Sequence, residues 1–279
     1  MTAALAALQM VSGAEPEANL QSAARLLAAA AAAGARLAVL PENFAFMGAR
    51  EEDKLALAER EGEGPLQAFL ASQAEQHGLW LVGGTLPLAG AEPGRVRAAC
   101  LVYDDRGRQV ARYDKIHLFD VALGDDEHYA ESQTVAPGSA PVVLDTPLGR
   151  LGLAVCYDLR FPELFRALVD DGMELLALPA AFTATTGRAH WEVLLRARAI
   201  ENLCYVVAAA QGGRHPGPRE TFGESMVIDP WGAVLDRVPK GAGIAQAPFD
   251  RALLEQTRAA FPALTHRRVV AATAGGPTV

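Results

Sequence analysis

The chain has 279 residues, of which 51% are hydrophobic, so it is long and apolar enough to bury a substantial core. Its formal net charge is −8, with acidic and basic residues interspersed along the chain. This charge argues against nucleic acid and against anionic membrane surfaces as partners.

The first half of the chain alternates between strand-like and helix-like segments. The clearest helix is the alanine-rich stretch at residues 19–33, because alanine has the highest helix propensity, and Gly34 then caps its end. In chain order the pattern predicts strand 4–10, helix 19–33, strand 37–40, helix 64–77, strand 78–86 and a hairpin of strands 98–104 and 109–114.

The second half continues the same alternation, with Pro162 in the first turn of a helix, where its missing N–H costs nothing. The predicted elements are a hairpin of strands 142–145 and 151–155, helix 161–171, strand 175–179, helix 189–203, strand 205–211 and a hairpin of strands 224–229 and 232–237. Helices fall between strands, and neither a long linker nor an internal repeat divides the chain. We therefore predict one α/β domain over residues 1–279, with helices layered on mixed sheets.

The cysteines and the chain start indicate a reduced compartment. Cys100, Cys156 and Cys204 are odd in number and widely spaced, which favours neither a disulfide framework nor a zinc site. The start MTAALAALQM lacks the basic region and long apolar stretch of a signal peptide. No apolar run reaches the ~18 residues of a membrane-spanning helix. We expect a cytoplasmic protein with free thiols.

Three polar residues lie at or just beyond the ends of predicted strands, where ligand sites gather in α/β sheets. Glu42 follows LAVLP, Lys115 lies in RYDKIHLFD, and Cys156 follows LGLAV. An ammonium group lowers the pKa of a nearby thiol, and a carboxylate can accept its proton. A turn after Cys156 can also aim the backbone N–H of Tyr157 at a developing oxyanion. The pattern favours acyl transfer, although each residue alone is more often packing or a surface charge.

The segments around these residues resemble the three signature blocks of the carbon–nitrogen hydrolase (nitrilase) superfamily. The blocks are PENF around Glu42, YDKIHLFD around Lys115 and GLAVCYDLRFPE around Cys156. YAESQTVAPG, which contains Glu131, and GESMVIDPWGAVL extend the resemblance from about residue 6 to residue 268. The C-terminal VVAATAGGPTV departs from the aromatic-containing end that is typical of the family.

The resemblance implies a four-layer αββα sandwich and a mechanism that needs no metal or organic cofactor. Glu42 would be the general base and Cys156 the nucleophile that forms a thioester. Lys115 and the Tyr157 N–H would stabilise the oxyanion. Glu131 would orient Lys115 or Glu42.

Residues 181–215 are most similar to the superfamily branch that acts on deaminated glutathione. The resemblance implies an amidase that converts the terminal carboxamide of a small α-keto acid amide to an acid and ammonia. Arg160 is expected to bind the substrate carboxylate, with Phe182 and Thr186, or else to form a salt bridge at the helix start. The alternative is an ω-amidase acting on α-ketoglutaramate, or a hydrolase of nitriles or N-carbamoyl compounds. The shape of the pocket would decide between these substrates, and it is set chiefly by predicted loops 119–129 and 183–188.

Two other classes of protein remain open on the residues alone. A Cys–His hydrolase would pair Cys156 with His117 or His190, and a scaffold protein would keep the fold without turnover. The chain contains no HExxH, GxSxG or Walker motif. The expected partners are a small amide substrate and a second copy of the chain. In the resembling family, homodimers form through helices that correspond to 161–171 and 189–203.

Overall fold

The computed structural model describes residues 3–90, 92–123 and 128–269. Its strands are β1 Ala4–Gln9, β2 Ala35–Val39, β3 Trp80–Val82, β4 Leu86–Ala89, β5 Val96–Tyr103, β6 Gln109–Asp114, β7 Asp120–Ala122, β8 His128–Ala130, β9 Val142–Thr146, β10 Gly149–Leu153, β11 Leu175–Ala180, β12 Tyr205–Ala210, β13 Ser225–Ile228, β14 Val234–Val238 and β15 Gly243–Pro248. Its α-helices are α1 Pro16–Ala32, α2 Pro65–His77, α3 Pro162–Asp170, α4 Ala184–Asn202 and α5 Arg251–Ala260. Short 3-10 segments cover Glu51–Leu57, Glu131–Gln133, Cys156–Arg160 and Ala263–His266.

Two mixed sheets contain most of the strands. The first sheet has the order β15-β1-β2-β3-β5-β4, with β6 also paired to β5, and the second has the order β14-β13-β12-β11-β10-β9. Strands β1, β2 and β3 are parallel to one another, as are β10, β11 and β12. β1 packs against β12 and β13, so the two sheets lie face to face.

Side chains that alternate along β1 show how the layers are filled. Leu5 and Ala7 belong to the core cluster shared with the second sheet, whereas Ala6 and Leu8 pack in the cluster with α1 and α2. Both faces of β1 are therefore covered, which explains why its sequence is a continuous apolar run. On the far side, α3 and α4 pack on each other and on the second sheet. The result is the predicted αββα sandwich of four layers.

The structure differs from the sequence-based elements in several places. Predicted strand 78–86 contains β3 and only the first residue of β4, because the chain turns at Gly84 with φ +58°. Predicted helix 189–203 begins earlier, at Ala184, since the hydroxyl of Thr183 accepts a hydrogen bond from the Thr186 N–H and caps the helix. β15 and α5 were missed altogether. No helix within the described ranges is both long and apolar enough to cross a membrane.

Candidate active site

Cys156 occupies a sharp turn between β10 and α3. Its backbone has φ +49°, in the left-handed region that residues other than glycine rarely adopt. A 3-10 segment, Cys156–Arg160, follows at once and leads into α3. Such strained positions persist only where the surroundings hold them, and they cluster at functional sites. The turn places the thiol at the wall of a pocket that opens beyond the strand end.

Asp158 holds this turn to the segment that carries Lys115. Its fully buried carboxylate accepts hydrogen bonds from the Val155 N–H at 2.8 Å and the Tyr113 hydroxyl at 2.6 Å. It also accepts from the His117 N–H at 3.0 Å, and the His117 Nδ1 lies 2.7 Å away. The sequence reasoning missed Asp158. The available signal was an aspartate two residues after the cysteine, with polar residues flanking Lys115.

Two glycines allow close backbone approach beside the charged residues. A Cβ on Gly84 would lie 2.1 Å from the carbonyl oxygen of Pro41, the residue before Glu42. A Cβ on Gly138 would lie 2.0 Å from the carbonyl oxygen of Asp114, and the Gly138 N–H donates to the Lys115 carbonyl. Only glycine fits at these two contacts, which fix the backbone on which Glu42 and Lys115 stand.

A buried cluster of charges lies next to the thiol. The Lys115 Nζ is 2.8 Å from a Glu42 oxygen and 2.9 and 2.8 Å from the two oxygens of Glu131. Glu131 also accepts a hydrogen bond from the Phe119 N–H at 2.7 Å. The three charged side chains are almost completely buried. The attraction between this cation and the two carboxylates offsets the free-energy cost of removing the charged groups from water.

The protonation states follow from burial and from these pairings. Burial opposes the charged form of Lys115, but Glu131 and Glu42 hold its pKa well above the usual value. Burial raises the pKa of Glu42, but the charge and hydrogen bond of Lys115 and the hydrogen bond with Cys156 bring it below the usual value. Burial and then Glu42 raise the pKa of Cys156, against the opposing effects of Lys115 and of a backbone hydrogen bond with Ala181. The resting site is a neutral thiol beside an ionised carboxylate, which can accept the thiol proton during attack.

All eight residues to which the resemblance gave a role line this pocket, namely Glu42, Lys115, Glu131, Cys156, Tyr157, Arg160, Phe182 and Thr186. The described residues that line it include no histidine. His117 stacks on Phe161 at 3.7 Å between ring centroids, and the His190 Nδ1 lies 3.2 Å from an Arg160 nitrogen. Of these three candidate bases, Glu42 lines the pocket together with Cys156 and the two histidines do not.

Arg160 lines the pocket beside two aromatic side chains. Its guanidinium lies 5.2 Å from the ring centroid of Phe182 and 5.8 Å from that of Tyr157. No carboxylate of the described residues pairs with it within 4.0 Å, so the alternative of a salt bridge at the helix start is not realised there. The Thr186 hydroxyl is 2.9 Å from that of Thr183.

The two predicted specificity loops differ from their expected form. Residues 183–188 are the cap and first turn of α4 instead of a loop. Segment 119–129 contains β7 and the start of β8. Its residues 124–127 lie outside the described part of the chain. Phe119 and Tyr129, at its two ends, both line the pocket.

Three further charged residues line the pocket that the sequence reasoning did not single out. The Glu51 carboxylate is 2.7 Å from the Lys54 Nζ and 3.0 Å from an Arg219 nitrogen. Burial raises the pKa of Glu51, but Lys54 and Arg219 outweigh it and lower that pKa to about 2. In the sequence, AREEDK reads as a charged surface turn and HPGPRE as a loop, so neither indicated a pocket.

The other two thiols contrast with Cys156. Cys100 and Cys204 are free and fully buried in the core, and neither lines the pocket. Burial raises the pKa of Cys204 to about 12 and that of Cys100 further still, so both are inert packing residues. The described residues contain no group of three or more His, Cys, Asp or Glu side chains placed to hold a metal ion.

Comparison with known families identifies the class to which this protein belongs. A family model described as Carbon-nitrogen hydrolase matches residues 3–259. The chain therefore belongs to the carbon–nitrogen hydrolase family, as the three sequence blocks indicated, and is a hydrolase of carbon–nitrogen bonds.

Individual relatives are similar over nearly the whole chain. A deaminated glutathione amidase from Synechocystis sp. is 44% identical over 265 residues, covering 94% of this chain and 97% of the relative. A deaminated glutathione amidase from Homo sapiens is 43% identical over 268 residues, covering 95% and 82%. The crystal structure of the C. elegans NitFhit protein matches with a TM-score of 0.86 at 38% identity, over 95% of this chain and 65% of that longer one.

Proposed function

We propose that this hydrolase is an amidase of deaminated glutathione that acts through a Cys156 thioester. The observation that carries the proposal is the buried cluster in which Lys115 pairs with Glu42 beside the Cys156 thiol. The names of the relatives from Synechocystis and human support the choice of substrate.

In the first half-reaction, the Cys156 sulfur attacks the amide carbon while Glu42 accepts the thiol proton. The negative charge that develops on the carbonyl oxygen is stabilised by the Lys115 ammonium and the backbone N–H of Tyr157. Glu42 then gives its proton to the amide nitrogen as the carbon–nitrogen bond breaks. The amine leaves, and the acyl group remains on Cys156 as a thioester.

In the second half-reaction, Glu42 removes a proton from a water molecule that attacks the thioester carbon. The same two donors stabilise the second tetrahedral oxyanion. The carbon–sulfur bond breaks, the acid is released, and the sulfur regains the proton from Glu42. Throughout both steps, Glu131 balances the charge of Lys115 and, through two hydrogen bonds, positions its ammonium.

The charge of the pocket suits this substrate. Deaminated glutathione carries a 2-oxo acid carboxylate on the acyl side of the scissile amide, and Arg160 is a cation without a carboxylate partner among the described residues. As a tripeptide analogue this substrate has no primary carboxamide. Its hydrolysis therefore releases cysteinylglycine, and the ammonia expected from the sequence is not a product of this substrate. Ammonia is the product only for a substrate such as α-ketoglutaramate.

The test is a side-by-side measurement of kcat/KM for deaminated glutathione and α-ketoglutaramate, following cysteinylglycine and ammonia, with Cys156→Ala as the blank. We expect a clear preference for deaminated glutathione and no turnover by the variant. A preference for α-ketoglutaramate would make the protein an ω-amidase. Activity on neither compound would refute the proposal and direct the search to nitriles and N-carbamoyl compounds.

A further inference from the structure

The mechanism above leaves one charged group of the pocket unused, the trio Glu51, Lys54 and Arg219. Both cations contact the same carboxylate, Lys54 at 2.7 Å and Arg219 at 3.0 Å. Their side chains are mostly buried, with 15% of Lys54 and 20% of Arg219 exposed. Two cations on one carboxylate leave a positive charge without a partner in the trio, beside a pocket that receives substrate.

Arg219 is held with unused hydrogen-bonding capacity close to the nucleophile. One guanidinium nitrogen is 3.4 Å from the carbonyl oxygen of Ala181, the residue whose backbone hydrogen-bonds Cys156. The guanidinium also lies 5.7 Å from the ring centroid of Tyr129. Its Nε is buried and has no hydrogen-bond partner among the described residues. A buried donor without an acceptor is unfavourable, and an anionic ligand group would relieve it.

The trio borders the end of the pocket where the chain passes from Glu42 to Asn43. Glu42 returns the proton to the amide nitrogen, so the leaving group must lie next to Glu42. Asn43, the neighbour of Glu42, lines a side recess together with Lys54 and Arg219, and neither Arg160 nor Phe182 lines that recess. Burial raises the pKa of Glu42, whereas the charges of Lys115 and, more weakly, Arg219 lower it, as expected for a guanidinium near this carboxylate.

We propose that Arg219 and Lys54 form a second carboxylate site that binds the far end of the leaving group and selects amides with an anionic leaving group. The inference rests on the proposed function, because it assigns the glycine carboxylate of deaminated glutathione to this site and the 2-oxo acid carboxylate to Arg160. Two residues of extended chain span at most about 7 Å. The carboxylate of the leaving dipeptide would therefore lie within the same pocket as the thiol.

The experiment compares deaminated glutathione with its C-terminal carboxamide, which has the same shape and lacks only the glycine charge. We expect wild-type enzyme to show a kcat/KM for the acid roughly 10- to 100-fold above that for the carboxamide, the size of one charge-assisted contact. Arg219→Gln should bring this ratio close to one, and Lys54→Gln should reduce it. The ratio cancels any effect of a variant on the chemical step, because both compounds transfer the same acyl group.

Two controls make the result specific. Arg160→Gln should slow both compounds equally and keep the ratio, because its carboxylate belongs to the acyl side. Arg25→Gln, which removes an exposed guanidinium that hydrogen-bonds Ser22, should change nothing. A wild-type ratio near one, or a ratio that survives in both Arg219→Gln and Lys54→Gln, would overturn the second site and leave the proposed function intact. If wild-type enzyme hydrolysed neither compound, the proposed function would fail and the second site with it.

Discussion

Glu42 determines the pH dependence of the proposed reaction. It must be ionised to accept the thiol proton, and its pKa lies below the usual value of 4.5. Activity is therefore present above that lowered pKa and is lost only as the pH falls through it. The pKa values of Lys115 and Cys156 are raised above 10.5 and 9.0, so neither group titrates near neutrality.

We accordingly predict that kcat/KM for deaminated glutathione is flat from about pH 6 to about pH 9 and falls only on the acid side. The measurement is a kcat/KM profile in buffers of constant ionic strength. A half-maximal point between about pH 6 and about pH 7.5 would contradict the prediction. Such a point would instead indicate a histidine base of the kind that a Cys–His enzyme uses.

Among single residues, the sequence predicted the site well only where a chemically reactive side chain lies at the end of a predicted strand. Glu42, Lys115 and Cys156 follow strand ends, and the family resemblance gave each a role. Asp158 and Arg219 could not be found in this way, because their partners are distant in sequence. Asp158 bonds Tyr113 and His117 about forty positions away, and Arg219 pairs with a glutamate 168 positions away.

At the scale of elements, the turn from β10 to α3 depends on Asp158 as its link to the segment after β6. Asp158→Asn keeps the shape of the side chain but presents an amide donor where Val155 N–H and the Tyr113 hydroxyl both need an acceptor. We predict a loss of about 2–4 kcal/mol in the free energy of unfolding. We also predict a kcat at least roughly tenfold lower, because Cys156 and Lys115 lose their relative position.

Urea unfolding and steady-state kinetics check this prediction. Asp145→Asn is the matched control, because it makes the same chemical change on β9 in a side chain that is 89% exposed. It should unfold at the wild-type midpoint and keep the wild-type kcat. An Asp158→Asn enzyme that behaved like this control would rule out a positioning role for the carboxylate.

The sequence predicted elements best where the apolar pattern or turn residues were strong. The alanine-rich α1 and the hairpin of β5 and β6 are present close to the expected bounds. β15 was missed because GIAQAP contains glycine, alanine and proline, which are depleted in strands, and its place is fixed by pairing with β1 at the other end of the chain. α4 was predicted too short because its first turn, ATTGR, has low helix propensity and depends on the Thr183 cap.

At the scale of the whole molecule, α4 and the neighbouring hairpin expose apolar side chains. Val193 and Ile200, seven positions apart on α4, are 69% and 45% exposed. Trp231 is 64% exposed and contacts Phe261, while a Cβ on the adjoining Gly232 would touch Ile200. These exposed apolar side chains favour the homodimer expected from the sequence, with α4 in its interface.

We predict that light scattering after size exclusion gives twice the chain mass of 29.4 kDa, and that Val193→Glu halves it by placing a charge in the interface. Val110→Glu, on the edge strand β6 at 42% exposure, is the control and should stay dimeric. A wild-type monomer, or a dimer unaffected by Val193→Glu, would count against this interface.

The architecture as a whole was predictable only in part from residue patterns. Helices alternating with strands indicated an α/β domain, but the two facing sheets depend on pairings between distant strands, such as β1 with β15. The four-layer sandwich came from the family resemblance, which the match of residues 3–259 to the family model confirms. The charge of −8 gave no indication of the cations gathered in the pocket.

The proposed reaction requires that Cys156 becomes acylated, and partitioning with hydroxylamine is the direct test of this step. Deaminated glutathione and α-ketoglutaramate differ only in the amine that leaves, so both must give the same 2-oxoglutaryl thioester. At a fixed hydroxylamine concentration, we predict the same ratio of hydroxamate to free acid from both substrates, and neither product from Cys156→Ala. A ratio that differed between the two substrates, or hydrolysis without any hydroxamate, would contradict it.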